Sequence, residues 1–408
     1  MNRLPAEMKA VVAASVEDPA TLVNLAMVDK TFYAIIKHDE VRLGSNMCYQ
    51  RIGHNLMPLA LAVAHSETLV KTKRNFYGQA HSLKDITVQE IGAFISDHFP
   101  AQAVVNRHID INFCTKLFSF HSTVDGYAAV IAERALQATP RSNITTLMSS
   151  TESEMSRIRK SLYILELLSN LFPRNHASDA DVPRLREAAF QPAWEHLLTK
   201  FAPWELQQVR CAKQIMARHI QDVMLSDAAA KGAKQLRNDI RVLCEFVSNE
   251  GLTALKILEG RGKACGTACA VKQFRTKAQT FAVREAWFAI HDTMWLQNSG
   301  LQIDLNATDV INQYPEVDSG PQDSWLHTLL QPHVPEYTFT SAANFSFNCN
   351  RHASQWGYAY WDRKRLEAIT LGPLPTTEQM VSASDLKIPS GDLCFRAELR
   401  NDHECTCG

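Results

Sequence analysis

The side chains best suited to bind a metal lie near the C-terminal end of the sequence. His403, Cys405 and Cys407 place three candidate ligands close together. Structural zinc sites generally use four ligands, arranged as two pairs that are separated along the chain, and residues near a chain end are often poorly ordered. We therefore expect no metal site here, although metal binding by these three side chains stays open at this point.

Two further patterns match known binding motifs only in part. Cys265 and Cys269 would share one face of a helix, so we predict that they pack in a core rather than hold a metal. The segment Gly260–Lys263 lacks the Gly-x-x-x-x-Gly-Lys-Ser/Thr spacing with which a P-loop binds phosphate. We predict instead that its glycines end a helix and begin a loop.

The sequence contains none of the common catalytic motifs. It has no Gly-x-Ser-x-Gly turn and no His-Glu-x-x-His helix. Neighbours such as Glu195-His196 and His291-Asp292 are expected by chance in a chain with this many acidic residues and histidines, and their spacing predicts no catalytic geometry. We expect a protein that is not an enzyme and has no cofactor. The alternative is an enzyme with an unrecognised site, which a deep pocket with convergent polar groups would favour.

Composition places the chain among ordinary globular proteins. Of its 408 residues, 46% are hydrophobic and 21% are charged. The net charge of −1 argues against a broad nucleic-acid surface, which needs clustered Lys and Arg. No apolar run approaches the 18–20 residues that cross a bilayer, so we expect no membrane partner.

The expected location is the cytoplasm or the nucleus. The first residues lead directly into a helical pattern, with no basic region followed by a long apolar segment, so we expect no signal peptide. The ten cysteines are scattered along the chain. Such cysteines are typically reduced and buried in intracellular proteins.

Apolar residues recur at helical spacing over most of the chain, which predicts a mainly α fold. We predict helices over residues 41–51, 56–69, 87–97, 124–138, 154–171, 235–247, 251–258 and 277–297, and a long helix after Pro203. Prolines divide the last hundred residues, where we expect no long regular element except a helix over 361–369, and one short strand over 393–399. We predict that the aromatic residues around Trp204 and between Trp356 and Trp361 pack mostly in the core, with target recognition as the alternative.

The first forty residues predict three short helices. Pro5 stands at the start of the first helix, which carries an apolar stripe beginning at Met8. Asp18-Pro19 supplies a capping side chain and a helix-starting residue for the second. Three helices of about ten residues are too short to be stable alone, so they must bury apolar surface against the rest of the chain or against a partner.

These residues resemble the F-box, the adaptor-binding module of Skp–cullin–F-box ubiquitin ligases. The pattern comprises Leu4-Pro5-x-Glu7-Met8, Asp18-Pro19-x-x-Leu22-x-x-Leu25-Ala26-x-Val28 and Lys30-x-Phe32. The resemblance implies that the three helices bind a Skp-family adaptor and, through it, a cullin ligase. It also implies that the following residues occupy positions that the family uses for adaptor contact or for its own core: Leu4, Pro5, Met8, Val12, Leu22, Leu25 and Val28.

The sequence departs from the F-box pattern at a few positions. Ala13 and Ser15 stand where the family usually has larger apolar or aromatic residues, and Asp29 replaces a common cysteine. These departures imply a weaker adaptor contact. Three later segments are similar to uncharacterised F-box-like proteins of filamentous fungi, which implies a fungal source but no chemistry: Ile158–Phe172, Phe201–Leu206 and Gln355–Leu366.

The sequence thus predicts an F-box-like module over residues 1–50, a helical domain over 55–370 with a soft boundary at 139–153, and an irregular tail over 371–408. No leucine-rich, WD or kelch repeat is present, so we expect the helical domain itself to bind an unknown protein target. The alternative is a structural or regulatory helical protein whose first three helices pack on its own later helices. Burial of Leu4, Pro5, Met8 and Leu25 by the rest of the chain would favour this alternative.

Overall fold

The computed structural model of the protein describes residues 4–69, 88–99, 108–139, 149–172, 193, 196–230, 240, 243–244, 251–265, 311–330 and 356–370. These residues are mainly helical and include no β-strand, which confirms the predicted mainly α fold. Several predicted features lie outside the described residues, namely the helix over 277–297, most of the helix over 235–247, the strand over 393–399, Cys269, and the tail with His403, Cys405 and Cys407.

Twelve α-helices are numbered here in chain order within the described residues. They are α1 Ala6–Ala14, α2 Pro19–Val28, α3 Lys30–His38, α4 Glu40–Ile52, α5 Met57–Leu69, α6 Val88–His98, α7 Ile111–Gln137, α8 Glu152–Leu171, α9 Pro203–Ala230, α10 Leu252–Cys265, α11 Gly320–Leu330 and α12 Arg363–Thr370. A short 3₁₀-helix over Tyr358–Tyr360 precedes α12.

The chain divides into two compact units. The first unit holds the described residues up to Gly126 and the second holds those from Tyr127 onward, so the division falls inside α7. The predicted 1–50 module lies within the first unit, which also includes α5, α6 and the first part of α7.

Local capping signals set several helix ends. Asp18 caps α2 by accepting hydrogen bonds from the backbone N–H groups of Ala20 and Thr21 (2.9 and 3.0 Å). Thr151 and Glu154 form a reciprocal capping box at the start of α8. Gly53 ends α4 with φ +86°, a left-handed backbone that glycine adopts without strain. The helix ends predicted at Gly53 and at Asp18-Pro19 are confirmed.

The core of the first unit beyond α3 is built around α5. Every side chain from Leu59 to Ala64 is buried. Helix α4 passes so close to the chain before α7 that a Cβ atom on Gly44 would lie 2.5 Å from the carbonyl oxygen of Ile109. In the same region the sulfur atoms of Cys48 and Cys114, on α4 and α7, are 3.2 Å apart and fully buried.

The core of the second unit is rich in aromatic side chains. Trp204, Trp325, Tyr360 and Trp361 are all fully buried, which confirms the core role predicted for the Trp204 and Trp356–Trp361 aromatics. Backbone and hydroxyl groups of the 3₁₀ turn bond to α9, because Gln208 donates to the carbonyl of Ala359 (2.9 Å) and the Tyr360 hydroxyl donates to the carbonyl of Gln208 (2.5 Å). A segment far along the chain therefore fills the space between α8, α9 and α11.

Two predictions about the second unit are wrong. The glycines of Gly260–Lys263 do not end a helix, because α10 runs through them to Cys265. The Pro-rich region contains α11, an 11-residue helix that was not expected. Pro321 does not break this helix because proline fits the first turn, where its missing N–H would have no partner within the helix.

Candidate partner-binding surface

Helices α1, α2 and α3, called the trio from here on, form a small core of their own. Helix α3 packs against both α1 and α2. Phe32 and Leu22 are fully buried, and Ile36 and Ala13 are nearly so. Helix α3 thus forms the centre of the trio, because its Phe32 is the largest buried side chain there.

The trio also exposes an unusual amount of apolar surface. Of the nine large hydrophobic side chains that are exposed among the described residues, seven lie between Leu4 and Tyr33. The most exposed of these seven are Met27 at 74% and Val11 at 63%. Single exposed apolar residues are normal on proteins, but such a concentration in one short segment is typical of an interaction surface.

The residues that the F-box resemblance singled out have different degrees of exposure. Leu4, Pro5, Met8 and Val28 are exposed, while Val12 and Leu25 are half-buried. Leu22 is completely buried and packs in the core of the trio, so its side chain offers no surface to a partner. Pro5 directly precedes α1, and its carbonyl accepts the hydrogen bond from the N–H of Lys9 (3.0 Å).

Other exposed apolar residues were not singled out from the sequence. They are Val11, Val23, Met27 and Tyr33. A usable signal was present for two of them: Val23 and Met27 are one helical turn apart, on a different face of α2 from the buried Leu22.

A lysine occupies the interior of the trio. Lys9 is only 4% exposed, and its ammonium group donates a hydrogen bond to the carboxylate of Asp29 (2.7 Å). The same ammonium lies 5.4 Å from the centre of the Phe32 ring, within the range of a cation–π interaction. Sequence reasoning missed this pair, since nothing in the spacing of the two residues connects them.

Asp29 has a second role at the start of α3. Its carboxylate accepts hydrogen bonds from the backbone N–H groups of Thr31 and Phe32 (2.6 and 3.0 Å). The hydrogen bond from Lys9, together with these N–H groups, lowers the pKa of Asp29 to about 2. Asp29, one of the residues that depart from the F-box pattern, thus bonds to both α1 and α3 within the trio.

Other charged groups of the trio lie at its surface. The hydrogen bonds from Thr21 lower the pKa of Asp18 at the start of α2. On α3, Lys37 donates a hydrogen bond to Glu40 (2.6 Å), which raises the pKa of Lys37. Lys37 is 65% exposed, in contrast to the buried Lys9.

The part of the chain that the structure describes contains neither a group of metal ligands nor a membrane-crossing helix. Within those ranges, no three His, Cys, Asp or Glu side chains are grouped so that they could hold a metal ion. Among the same residues, no helix combines the length and the apolar character that a membrane crossing requires.

Comparisons with known proteins return no relative. No family model matches this chain, and neither the curated proteins nor the solved structures compared with it contain a match. The F-box resemblance therefore depends on the residue pattern between Leu4 and Phe32 and on the properties of the trio described above.

Proposed function

We propose that this chain is a substrate receptor of a Skp–cullin–F-box ubiquitin ligase. The trio would bind the Skp-family adaptor, and the helices that follow would bind a protein target. Such a receptor does no chemistry itself. It raises the effective concentration of a target lysine near the ubiquitin-loaded enzyme that the cullin brings.

The observation that carries this proposal is the exposure of apolar side chains on a trio that already has a core. Phe32 and Leu22 are buried inside the trio. Met8, Val11 and Met27 each expose at least half of their surface to solvent. Covering such side chains is favourable by roughly 25 cal/mol for each Å² of apolar surface removed from water. A partner with a complementary apolar surface would therefore gain from binding there.

The exposure of Leu4, Pro5 and Met8 favours this proposal over the alternative of an internally packed trio. In that alternative, later helices would cover these three residues, which are instead exposed. Leu25 is half-buried and does not discriminate between the two.

The test is binding of the purified chain to a purified fungal Skp-family adaptor. The best variants are Val11→Asp and Met27→Asp, because both side chains are highly exposed and lie outside the core of the trio. Leu25→Asp is less suitable, since a charge at a half-buried position would disturb the trio itself. Val317→Asp is the matched control, because Val317 is a fully exposed valine in the second unit.

We expect wild type and Val317→Asp to bind the adaptor equally well. Each variant in the trio should weaken binding at least about tenfold, since loss of one well-buried apolar contact is worth about 1.4 kcal/mol or more. Absence of wild-type binding would refute the proposal. Equal binding by wild type, Val11→Asp and Met27→Asp would also refute it.

A further inference from the structure

Helix α1 buries no large apolar side chain completely against the other two helices of the trio. Only two of its side chains are buried, Lys9 and Ala13, and the second is a single methyl group. Its larger apolar side chains, Met8 and Val11, are exposed, and Val12 is half-buried. Hydrophobic burial therefore holds α1 less firmly than α3, which buries Phe32 and Ile36.

Among the residues that the structure describes, the Lys9–Asp29 ion pair is the side-chain salt bridge that links α1 to another helix. The two side chains are 5% and 16% exposed, so water screens their attraction only in part. Asp29 is itself fixed, because its carboxylate caps α3 through two backbone N–H groups. A rotation or shift of α1 would separate the ammonium from this fixed carboxylate, and the attraction between the two charges would be lost.

We propose that the Lys9–Asp29 ion pair positions α1 in the trio and thereby sets the arrangement of the apolar side chains that the trio offers to its partner. The part of this inference that concerns the partner rests on the proposed function. Lys9 is a positioning residue, since its own side chain is buried and has no surface for a partner to contact.

Loss of the ion pair would weaken binding by lowering the fraction of molecules in which α1 is correctly placed. Met8 and Val11 lie on the exposed side of α1, the helix that carries Lys9, so a movement of this helix also moves both side chains. If loss of the pair left α1 correctly placed in about a tenth of the molecules, the apparent Kd for the partner would rise about tenfold. The intrinsic contacts to the partner would be unchanged.

The first experiment follows amide hydrogen exchange in the full-length chain by mass spectrometry. Lys9→Met keeps most of the volume of the side chain and removes its charge. The matched control is Lys37→Met, because Lys37 also pairs with a carboxylate but is largely exposed. We expect Lys9→Met to speed exchange of the α1 amides at least about tenfold, with no change in α4–α7, and Lys37→Met to behave as wild type.

A second variant separates the ion pair from the helix cap. Asn can still accept hydrogen bonds from the N–H groups at the start of α3, so Asp29→Asn removes the charge and keeps the cap. We expect Asp29→Asn and the double variant Lys9→Met/Asp29→Asn to speed α1 exchange to a similar extent, because residues that act as a pair show strongly non-additive effects. Wild-type exchange of α1 in Lys9→Met would overturn the inference, as would fully additive effects in the double variant.

The second experiment measures the affinity of the same variants for the Skp-family adaptor. We expect Lys9→Met to raise the Kd about tenfold, with wild-type affinity in Lys37→Met. Faster α1 exchange together with an unchanged Kd would overturn the positioning role. If wild type itself fails to bind, the proposed function fails, while the exchange experiment still decides whether the ion pair holds α1.

Discussion

Glu154, at the start of α8, accepts two hydrogen bonds from the guanidinium group of Arg365 on α12 (2.7 and 2.8 Å). Glu154 is fully buried, and its carboxylate also accepts hydrogen bonds from the backbone N–H groups of Thr151 and Asp362 (2.8 and 3.1 Å). The central carbon of the Arg365 guanidinium lies 5.2 Å from the centre of the Trp361 ring. This pair joins two helices that are far apart in sequence and that both belong to the second unit.

Removal of Arg365 should strongly destabilise the second unit. Arg365→Met would leave the buried carboxylate of Glu154 without its cationic partner, which typically lowers the free energy of unfolding by roughly 3–5 kcal/mol. Arg134→Met is the control, because the Arg134–Asp222 pair also lies in the second unit but is partly exposed (30% and 59%). An exposed pair is worth about 0–1 kcal/mol. Urea unfolding followed by tryptophan fluorescence measures both, and equal losses would contradict the role assigned to Glu154.

Asp29 should titrate far below an ordinary aspartate. Its folded pKa of about 2 lies below the usual value, so the folded trio binds fewer protons than the unfolded chain at mildly acid pH. The stabilisation is present above the unfolded pKa of about 4 and is lost as the pH falls toward 2. NMR of the chain with ¹³C-labelled Asp carboxyls measures this titration, with Asp29→Asn to assign the signal.

The same titration in Lys9→Met tests the cause of the shift. Without the hydrogen bond from the ammonium group, the pKa of Asp29 should move back toward the ordinary value of an aspartate. A midpoint near 4 in the wild-type chain would show that the ion pair does not form in solution.

Substitution of Gly44 should destabilise the first unit. In Gly44→Ala the added methyl group would meet the carbonyl oxygen of Ile109, so α4 must shift, at a typical cost of about 1–3 kcal/mol. Gly92→Ala is the matched control, since it adds the same methyl group on α6, where no atom other than the neighbouring backbone of that helix lies within 4 Å. That change should stabilise by about 0.5–1 kcal/mol, because alanine favours a helix interior over glycine. Thermal unfolding compares the two, and effects of the same sign would contradict this packing.

The buried thiols of Cys48 and Cys114 should resist alkylation in the folded chain. The hydrogen bond with Cys114 and burial both raise the pKa of Cys48, and the thiolate is the reactive form. We expect iodoacetamide at pH 8 to leave both residues unmodified in the native chain and to modify them after unfolding in urea. Peptide mass spectrometry gives the extent of modification, and equal rates before and after unfolding would show that these thiols are accessible.

The helix ends that could be predicted from sequence are those set by neighbouring residues. Asp18 caps α2 with its own side chain, and Gly53 ends α4 with its own backbone conformation. Both effects stay within one helical turn, so they can be predicted without knowledge of the rest of the fold. The mainly α character follows from apolar spacing in the same way.

The features that were missed depend on contacts over long distances in sequence. Lys9 is buried because Asp29 and Phe32 from another helix surround its ammonium group, and no local pattern encodes that meeting. Gly260 lies inside α10 although glycine disfavours helices, because the cost of a single glycine, about 1 kcal/mol, is too small to end a helix by itself. The apolar stripe of α1 could be recognised in the sequence, but such a pattern does not show whether the rest of the chain or a partner covers that face.

The position of Trp361 and Arg365 in the second unit has a consequence for synthesis of the protein. These residues complete a core begun by α8 and α9, and they are among the later parts of the chain to be made. Helix α8 will have left the ribosome long before Arg365 is made and can pair with Glu154. Trp204 will also be exposed in the nascent chain until its ring partners Tyr314 and Trp325 have been made. We therefore expect production of the second unit to depend on chaperones that shield such surfaces.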